Sequence, residues 1–219
     1  IQTSEETKVP TTGWRYLINQ TVFDGDAGSV SIIKNEAING RFNVKCYGVF
    51  FAGCISEYGT ILNASHVCLC TFHSCKEGVV IAYDYTAHIV ENAFINILIN
   101  GYAINGFWYG DFYCGSNVFD TSAPNVSGVV CSNIGSSVVC KYSGFFNLNA
   151  AIKTLVPSSA AEIGGSYIAS SCTYGVYGYN ITLSNCTNNA ATPVYNLTSG
   201  GSIEEWDGQA LPSIDDATG

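Results

Sequence analysis

A short phrase recurs along this chain and constrains its fold more than any other feature: a small polar cluster, a glycine, and then three or four apolar or aromatic residues. The glycines of successive copies lie 30, 23, 27 and 47 residues apart, and 47 is about two periods. A loose repeat of roughly 20 to 30 residues, built from short strands and turns, is typical of a chain wound into stacked coils. The copies are Gly48-Val49-Phe50-Phe51, Gly78-Val79-Val80-Ile81, Gly101-Tyr102-Ala103-Ile104, Gly128-Val129-Val130-Cys131 and Gly175-Val176-Tyr177.

The composition agrees with a coiled chain and argues against two classes of partner. Charged residues are 11% of the sequence, whereas an ordinary domain has about 25%. The net charge is -9 and the eight Lys and Arg residues form no basic stripe, so we expect no nucleic-acid partner. The longest apolar stretch, residues 93–109, is interrupted by Asn and Gly, so we expect no membrane insertion.

The repeat divides the chain into three predicted regions. Residues 1–29 are expected to form an N-terminal arm or linker and a cap, residues 30–201 the coils, and residues 202–219 a tail. An interruption is predicted near residues 149–164, because Asn149 to Leu155 has a helical pattern and is followed by Pro157. The chain begins at Ile1 and contains no Met, so we expect a piece excised from a longer protein.

Alternation of apolar residues predicts which side chains fill the interior of the coils. A strand with one buried face alternates apolar and polar residues with a period of two. The residues predicted to point inward are Val79, Ile81, Ile89, Ile95, Ile97, Ile99, Val129, Cys131, Ile181 and Leu183.

The ten cysteines allow two interpretations. Many occur where an inward residue is expected, as in the alternation of Val44 with Cys46, and free Cys is among the most buried residue types. Alternatively, an oxidising compartment would pair them in up to five disulfides, and glycans would then occupy six Asn-x-Ser/Thr sites. Those sites are Asn19, Asn63, Asn125, Asn180, Asn185 and Asn196. A zinc knuckle is not predicted, since paired CxxC half-sites are missing.

Two segments resemble single coils of the right-handed parallel β-helix superfamily, which includes pectate-lyase-like proteins and bacteriophage tailspikes. They are Cys75-Lys-Glu-Gly-Val-Val-Ile with His88-Ile-Val-Glu-Asn-Ala-Phe-Ile, and Cys172-Thr-Tyr-Gly-Val-Tyr with Ile181-Thr-Leu-Ser-Asn-Cys-Thr. The resemblance implies an all-β solenoid with short non-coil terminal segments. The low charge makes the chain look more like a tailspike or tail-fibre fragment, a class that commonly forms homotrimers on bacterial surface polysaccharide.

The densest aromatic segment of the sequence, residues 106–113, contains five aromatic side chains and one acid. Aromatic faces stack on sugar rings, and a neighbouring carboxylate accepts hydrogen bonds from hydroxyl groups or takes part in acid–base chemistry. We therefore predict that Trp108, Tyr109 and Tyr113 contact carbohydrate, with Asp111 as the nearest carboxylate. The alternative is that these aromatics are structural and line a subunit contact.

Glycoside cleavage would need two carboxyl groups roughly 5 to 10 Å apart. Adjacent coils bring side chains to within about 4.8 Å of each other, and the candidate catalytic residues are Asp84, Glu91, Asp111 and Asp120. His66, His73 and His88 are also close in sequence, and a His base would suit a polysaccharide lyase. The alternative is that they are surface residues without a role. No cofactor and no bound metal are predicted.

Three functions remain open from the sequence. The first is a phage receptor-binding module in the virion tail that binds, with or without cleaving, bacterial polysaccharide. The second is a disulfide-bonded, glycosylated ectodomain of a secreted or viral spike protein. The third, a pectate-lyase-like secreted lyase, is less favoured because no Asp cluster accompanies Arg15 or Arg41. For the first we expect a homotrimer with exposed Phe145 and Phe146 at subunit contacts.

Overall fold

The computed structural model describes residues 2–3, 21–24, 31–34, 44–83, 85–196 and 203–205. All regular structure in these residues is β-strand, arranged as three sheets that stack into a β-solenoid of about 6 turns. The strands pair in parallel throughout, except that Gln2–Thr3 pairs antiparallel with Thr21–Asp24. Each turn contributes one strand to each sheet, in the repeating order sheet I, sheet II, sheet III. The predicted parallel β-helix is confirmed.

The strands are numbered in chain order. Sheet I contains β3 (Ile33–Lys34), β6 (Ile61–Leu62), β9 (Glu77–Ala82), β12 (Tyr102–Phe107), β15 (Ser127–Cys131), β18 (Ala150–Thr154), β21 (Tyr174–Gly178) and β24 (Thr192–Asn196). Sheet II contains β4 (Lys45–Tyr47), β7 (His66–Cys68), β10 (Thr86–Val90), β13 (Asp111–Gly115), β16 (Ser137–Lys141), β19 (Ala160–Gly164), β22 (Ile181–Ser184) and β25 (Ile203–Glu205). Sheet III contains β1 (Gln2–Thr3), β2 (Thr21–Asp24), β5 (Val49–Ala52), β8 (Thr71–His73), β11 (Ala93–Ile95), β14 (Val118–Asp120), β17 (Gly144–Phe146), β20 (Tyr167–Ile168) and β23 (Thr187–Asn188).

The interior is built from columns of identical or similar side chains, because parallel coils pair in register. Sheet III contributes a ladder of five phenylalanines whose neighbouring ring centroids lie 4.7–5.1 Å apart with interplanar angles of at most 14°. All five are fully buried, and each burial of this size removes a large apolar area from water. The ladder consists of Phe51, Phe72, Phe94, Phe119 and Phe145.

Nine of the ten residues predicted to point inward are buried, with 0–5% of their surface exposed. The exception is Ile99, which is 53% exposed. Ile99 lies in the turn between β11 and β12, where the alternation of a strand no longer applies. The prediction is therefore wrong at Ile99, and Ile95 is buried without pointing inward, because it follows the inward Phe94 in β11.

Two other expectations are wrong. The stretch from Asn149 to Leu155 is not helical: β18 pairs with β15 in register, and β19 follows it as a strand of sheet II. The winding thus continues through residues 149–164. Phe145 is not an exposed subunit contact either, because it is the inward residue of β17 and ends the phenylalanine ladder. Phe146 points outward and is half-buried.

The corner between sheets II and III is a hydrogen-bonded ladder. In six successive coils, beginning with the one that contains β7, two residues separate the sheet II strand from the sheet III strand. The second residue of each pair points inward. The Asn92 Oδ1 accepts from the backbone N–H of Cys70 at 2.9 Å, and the Asn117 Oδ1 accepts from that of Asn92 at 2.9 Å. The ladder continues in the following coils. The Ser143 hydroxyl accepts from the backbone N–H of Asn117 at 3.3 Å, and the Ser166 hydroxyl accepts from that of Ser143 at 3.1 Å.

The cysteines are free thiols. Nine are buried and Cys68 is half-buried, so the interpretation as small interior side chains is confirmed. Burial raises the pKa of several of these thiols, including that of Cys46 to about 11 and that of Cys131 to about 12. Such thiols are protonated and unreactive at neutral pH.

Candidate functional site

The outer face of sheet II carries the polar residues that the sequence analysis selected. In β13, Phe112 and Cys114 point into the core, and Asp111 and Tyr113 point outward. Residues two apart on a strand share a face at about 7 Å, so this alternation places Asp111 beside Tyr113. The predicted grouping of an acid with an aromatic side chain is present on this face.

An aromatic ridge borders this face at the corner between sheets I and II. We define it by Tyr83, Trp108, Tyr109 and Ile134, which are 54%, 42%, 53% and 52% exposed. The rings of Tyr83 and Trp108 are tilted against each other with centroids 5.3 Å apart. Backbone hydrogen bonds from Tyr83 N–H to the Trp108 carbonyl (2.8 Å) and from Tyr109 N–H to the Ile134 carbonyl (3.0 Å) join the three coils. The ridge is therefore a continuous surface fixed by the backbone.

Two glycines set the orientation of the tyrosine rings. Gly135 has a φ of +72°, and a Cβ at this position would collide with the ring of Tyr109. A Cβ on Gly115 would lie 2.8 Å from the hydroxyl of Tyr113. Each ring thus occupies space that a side chain at the glycine would fill, so a glycine is required for the ring to take this position.

Asp111 is held by the next coil. Its Oδ1 accepts from the hydroxyl of Ser137 at 2.6 Å and from the backbone N–H of Ser137 at 3.2 Å. Ser137 also lines a shallow depression of about 330 Å³ on the outer face of sheet II. The lining residues are Ser137, Val138, Val139, Ala160, Ala161, Glu162, Asn180 and Thr182. Several of the lining side chains are small, and Ser137 connects the depression to Asp111 through its hydrogen bond.

A column of nitrogen-bearing side chains occupies the same face on the other side of Tyr113. Lys45, His66, His88 and Tyr113 are register partners on four successive coils. The two imidazoles stack with centroids 5.3 Å apart and an interplanar angle of 17°, and His88 lies 6.0 Å from Tyr113. Partial burial lowers the pKa of His66, and the nearby charges of Lys45 and His88 lower it further. His73 is not part of this group, since it stacks with Phe50 on sheet III.

The structure does not bring the predicted carboxylates together. Glu91 occupies the corner between sheets II and III, five residues along the strand direction from the register partner of Asp111, which corresponds to roughly 16 Å. Asp120 ends β14 on sheet III and accepts from Asn147 Nδ2 at 2.7 Å. Asp84 lies outside the described residues. Asp111 is thus the one of these four that the structure places on the outer face of sheet II.

Lys45 and Ser137 belong to this surface, although neither was predicted from the sequence. Both are ordinary residues in their local context, and neither stands near an obvious motif. Register partners on adjacent coils are separated by 18 residues, as between Tyr174 and Thr192, to 28 residues, as between Ile33 and Ile61. A repeat this variable does not reveal that Ser137 lies beside Asp111, although a register fixed on Cys114 and Cys140 would have found it.

The described part of the chain contains no group of three or more His, Cys, Asp or Glu side chains arranged to hold a metal ion. It also contains no helix of the length and hydrophobicity that a membrane span requires. Comparisons with protein-family models, curated proteins and solved structures find no match.

Proposed function

We propose that this chain is the polysaccharide-binding part of a bacteriophage tailspike or tail fibre and that it attaches to the bacterial surface. The observation that carries the proposal is the exposed aromatic ridge beside the polar outer face of sheet II. We call the part of that face formed by Asp111, Tyr113 and Ser137 the groove. Exposed aromatic clusters on a protein of low charge are typical of binding surfaces. Solenoids present such surfaces over several coils, which suits an extended polymer better than a small molecule.

The groove offers the two kinds of contact that sugars require. The rings of Trp108, Tyr109 and Tyr113 provide apolar faces for the C–H side of a pyranose. Asp111 and Ser137 provide an acceptor and a donor for hydroxyl groups. Each aromatic stack contributes on the order of 1 kcal/mol, so affinity is expected to build up over several sugar units.

The proposal is limited to binding. Hydrolysis uses two carboxyl groups roughly 5 to 10 Å apart. Asp111 is the only described candidate on this face, and Glu162, which lines the depression, lies two coils and two residues away, roughly 12 Å along the backbone, beside Lys141. We therefore expect no release of reducing ends when the protein is incubated with a polysaccharide that it binds. A reducing-sugar assay with Asp111→Asn as the control tests this limit.

The test of binding is a glycan array of bacterial surface polysaccharides, followed by titration of each hit. Trp108→Ala is expected to weaken binding about tenfold, which corresponds to about 1.4 kcal/mol. The matched control is Tyr142→Ala, because Tyr142 is 67% exposed but belongs to the corner between sheets II and III. If both variants bind as the unchanged protein does, the aromatic ridge is not the binding surface.

We also propose that the protein acts as a homotrimer at the virion tail, outside the cell. Low surface charge supports this assembly, since a subunit interface covers apolar surface that a lone chain would expose. Light scattering at micromolar concentration is expected to return about three times the chain mass of 23.3 kDa. A mass equal to one chain would overturn the trimer without affecting the binding proposal.

The alternative of a disulfide-bonded, glycosylated ectodomain is weakened by two observations. The ten cysteines are free, and Asn63, one of the six glycosylation motifs, is fully buried with its Oδ1 accepting from the Ala82 N–H at 2.7 Å. Titration of thiols in denaturant is expected to count all ten. A count near zero would favour the secreted glycoprotein.

A further inference from the structure

The column of Lys45, His66 and His88 places three nitrogen-bearing groups together on a chain whose net charge is -9. Register partners on adjacent coils lie about 4.8 Å apart, so the column spans roughly 10 Å. Lys45 is exposed and both imidazoles reach the surface. The column is thus a cluster of hydrogen-bond donors with one permanent positive charge, that of Lys45, on an acidic protein.

The column lacks an acidic partner among the described residues. Lys141 lies on the same outer face of sheet II and does have an acidic partner, since its Nζ is 3.6 Å from Glu162 Oε1. No described carboxylate makes such a contact with Lys45, His66 or His88. The one imidazole hydrogen bond here joins His66 Nδ1 to the Ser65 hydroxyl at 3.1 Å, which leaves Nε2 of His66 available.

The column is continuous with the proposed sugar-binding groove. The ring centroids of His88 and Tyr113 are 6.0 Å apart, and the Tyr113 ring covers Gly115. A sugar ring stacked on Tyr113 would therefore place its substituents beside His88, and the next sugar unit would extend toward His66 and Lys45. Groups of this kind recognise anions, because an ammonium and an imidazole N–H both donate hydrogen bonds to a carboxylate.

We infer that the polysaccharide bound by this surface carries acidic sugar residues, whose carboxylates bind along the column of Lys45, His66 and His88 while a neighbouring sugar ring stacks on Tyr113. This inference rests on the proposed function, since it names the substrate class of the same groove. A neutral imidazole still donates one hydrogen bond, so the contact does not require both histidines to be charged. Lys45 supplies the permanent charge.

The experiment compares acidic oligosaccharides with their neutral counterparts. The probes are oligosaccharides of hyaluronan and of polysialic acid, each paired with the same oligosaccharide after reduction of its carboxyl groups to alcohols. At least one acidic probe is expected to bind about tenfold tighter than its reduced form, as for a charge-assisted contact. Lys45→Gln and His88→Gln are expected to bring this ratio close to one. Lys141→Gln, whose amine already contacts Glu162, is the matched control and should leave it unchanged.

The outcomes separate this inference from the proposed function. Equal binding of both members of each pair, with Trp108→Ala still weakening both, would overturn the acidic-sugar inference and leave polysaccharide binding intact. Absence of binding to every acidic probe, combined with binding of neutral glycans on the array, would also overturn it. Loss of preference in Lys141→Gln as large as in Lys45→Gln would place the contact elsewhere on sheet II. If Trp108→Ala changes none of the measured affinities, the proposed function itself is wrong.

Discussion

Two corners of the solenoid differ in almost every respect. At the corner between sheets II and III, two residues separate the strands in six successive coils. The first has a positive φ in each of them, between 49° and 57°. Among the connections that the structure describes in full, the corner between sheets I and II has two to five residues, and it carries the aromatic ridge. The regular corner repeats one hydrogen-bonding pattern from coil to coil, whereas the irregular corner combines buried side chains, such as Asn63 and Ser159, with exposed ones, such as Trp108.

The regular corner should be the more sensitive to mutation. Asn117 is fully buried, its Oδ1 accepts from the Asn92 N–H, and its Nδ2 donates to the Ile89 carbonyl at 2.8 Å. Asn117→Ala leaves both backbone groups unpaired, which is expected to lower the free energy of unfolding by about 4 kcal/mol. Denaturant unfolding measures this, with the exposed residue change Ser122→Ala as control. A loss below about 1 kcal/mol would mean that the ladder does not hold the corner.

Glu77, in sheet I, is a buried polar residue that belongs to neither corner and to no hydrogen-bonded ladder. Its effect on stability can therefore be compared with that of Asn117. Glu77 is 7% exposed, and its Oε2 accepts one long hydrogen bond, of 3.3 Å, from Asn105 Nδ2. Burial raises the pKa of Glu77 from 4.5 to about 8. The folded state therefore keeps a proton that the unfolded state loses, so the stabilisation is complete below pH 4.5 and is lost as the pH rises through 8.

Glu77→Gln should remove this pH dependence. Between pH 4.5 and 9 the free energy of unfolding of the unchanged protein is expected to fall by about 5 kcal/mol more than that of the variant. Unfolding curves at several pH values measure the difference. Glu91→Gln serves as the control and should leave the slope unchanged, because Glu91 is exposed at the corner between sheets II and III. Parallel curves for Glu77→Gln and the unchanged protein would show that Glu77 is ionised in the folded protein.

The support beneath the aromatic ridge should be moderately sensitive. Gly135→Ala introduces a Cβ at a φ of +72° and forces the Tyr109 ring away, with an expected cost of about 2 kcal/mol and a several-fold loss of glycan affinity. Gly53→Ala is the control, since Gly53 also has a positive φ, of 66°, at the corner between sheets III and I. Equal losses of affinity in both variants would indicate general loosening of the fold rather than displacement of Tyr109.

The ridge itself should contribute least to stability. Trp108 is 42% exposed, so Trp108→Ala is expected to change the free energy of unfolding by less than about 1 kcal/mol. Phe94→Ala, in the interior ladder, is expected to cost about 4 kcal/mol. Thermal unfolding of the two variants side by side makes the comparison. A Trp108 variant that unfolds as readily as the Phe94 variant would assign the ridge to the core.

The glycine-phased repeat was sufficient to predict the fold, yet the glycines do not all do the same thing. Gly78, Gly128 and Gly175 occupy the second position of sheet I strands, where a Cβ on Gly78 or Gly128 would collide with Phe94 or Phe145. Gly48 lies instead at the corner between sheets II and III, and Gly101 precedes β12. Strand alternation predicted the interior because burial depends on local pattern.

The site could be predicted only in part. Trp108, Tyr109, Asp111 and Tyr113 are close in sequence, so their grouping follows from one segment. Contacts between coils depend on register, which the variable coil lengths conceal. For this reason the hydrogen bond between Ser137 and Asp111, and the column of Lys45, His66 and His88, could not be predicted from the sequence.

The ladder at the corner between sheets II and III has a consequence for how such a protein can change length. Asn92 and Asn117 are 25 residues apart, make equivalent hydrogen bonds and follow equivalent strands. A deletion of residues 92–116 would join chemically identical positions, so the chain is expected to gain or lose whole coils far more easily than single residues. The length of the solenoid and its choice of ligand can then evolve separately. A coil inserted away from the groove lengthens the solenoid and leaves the residues that contact sugar unchanged.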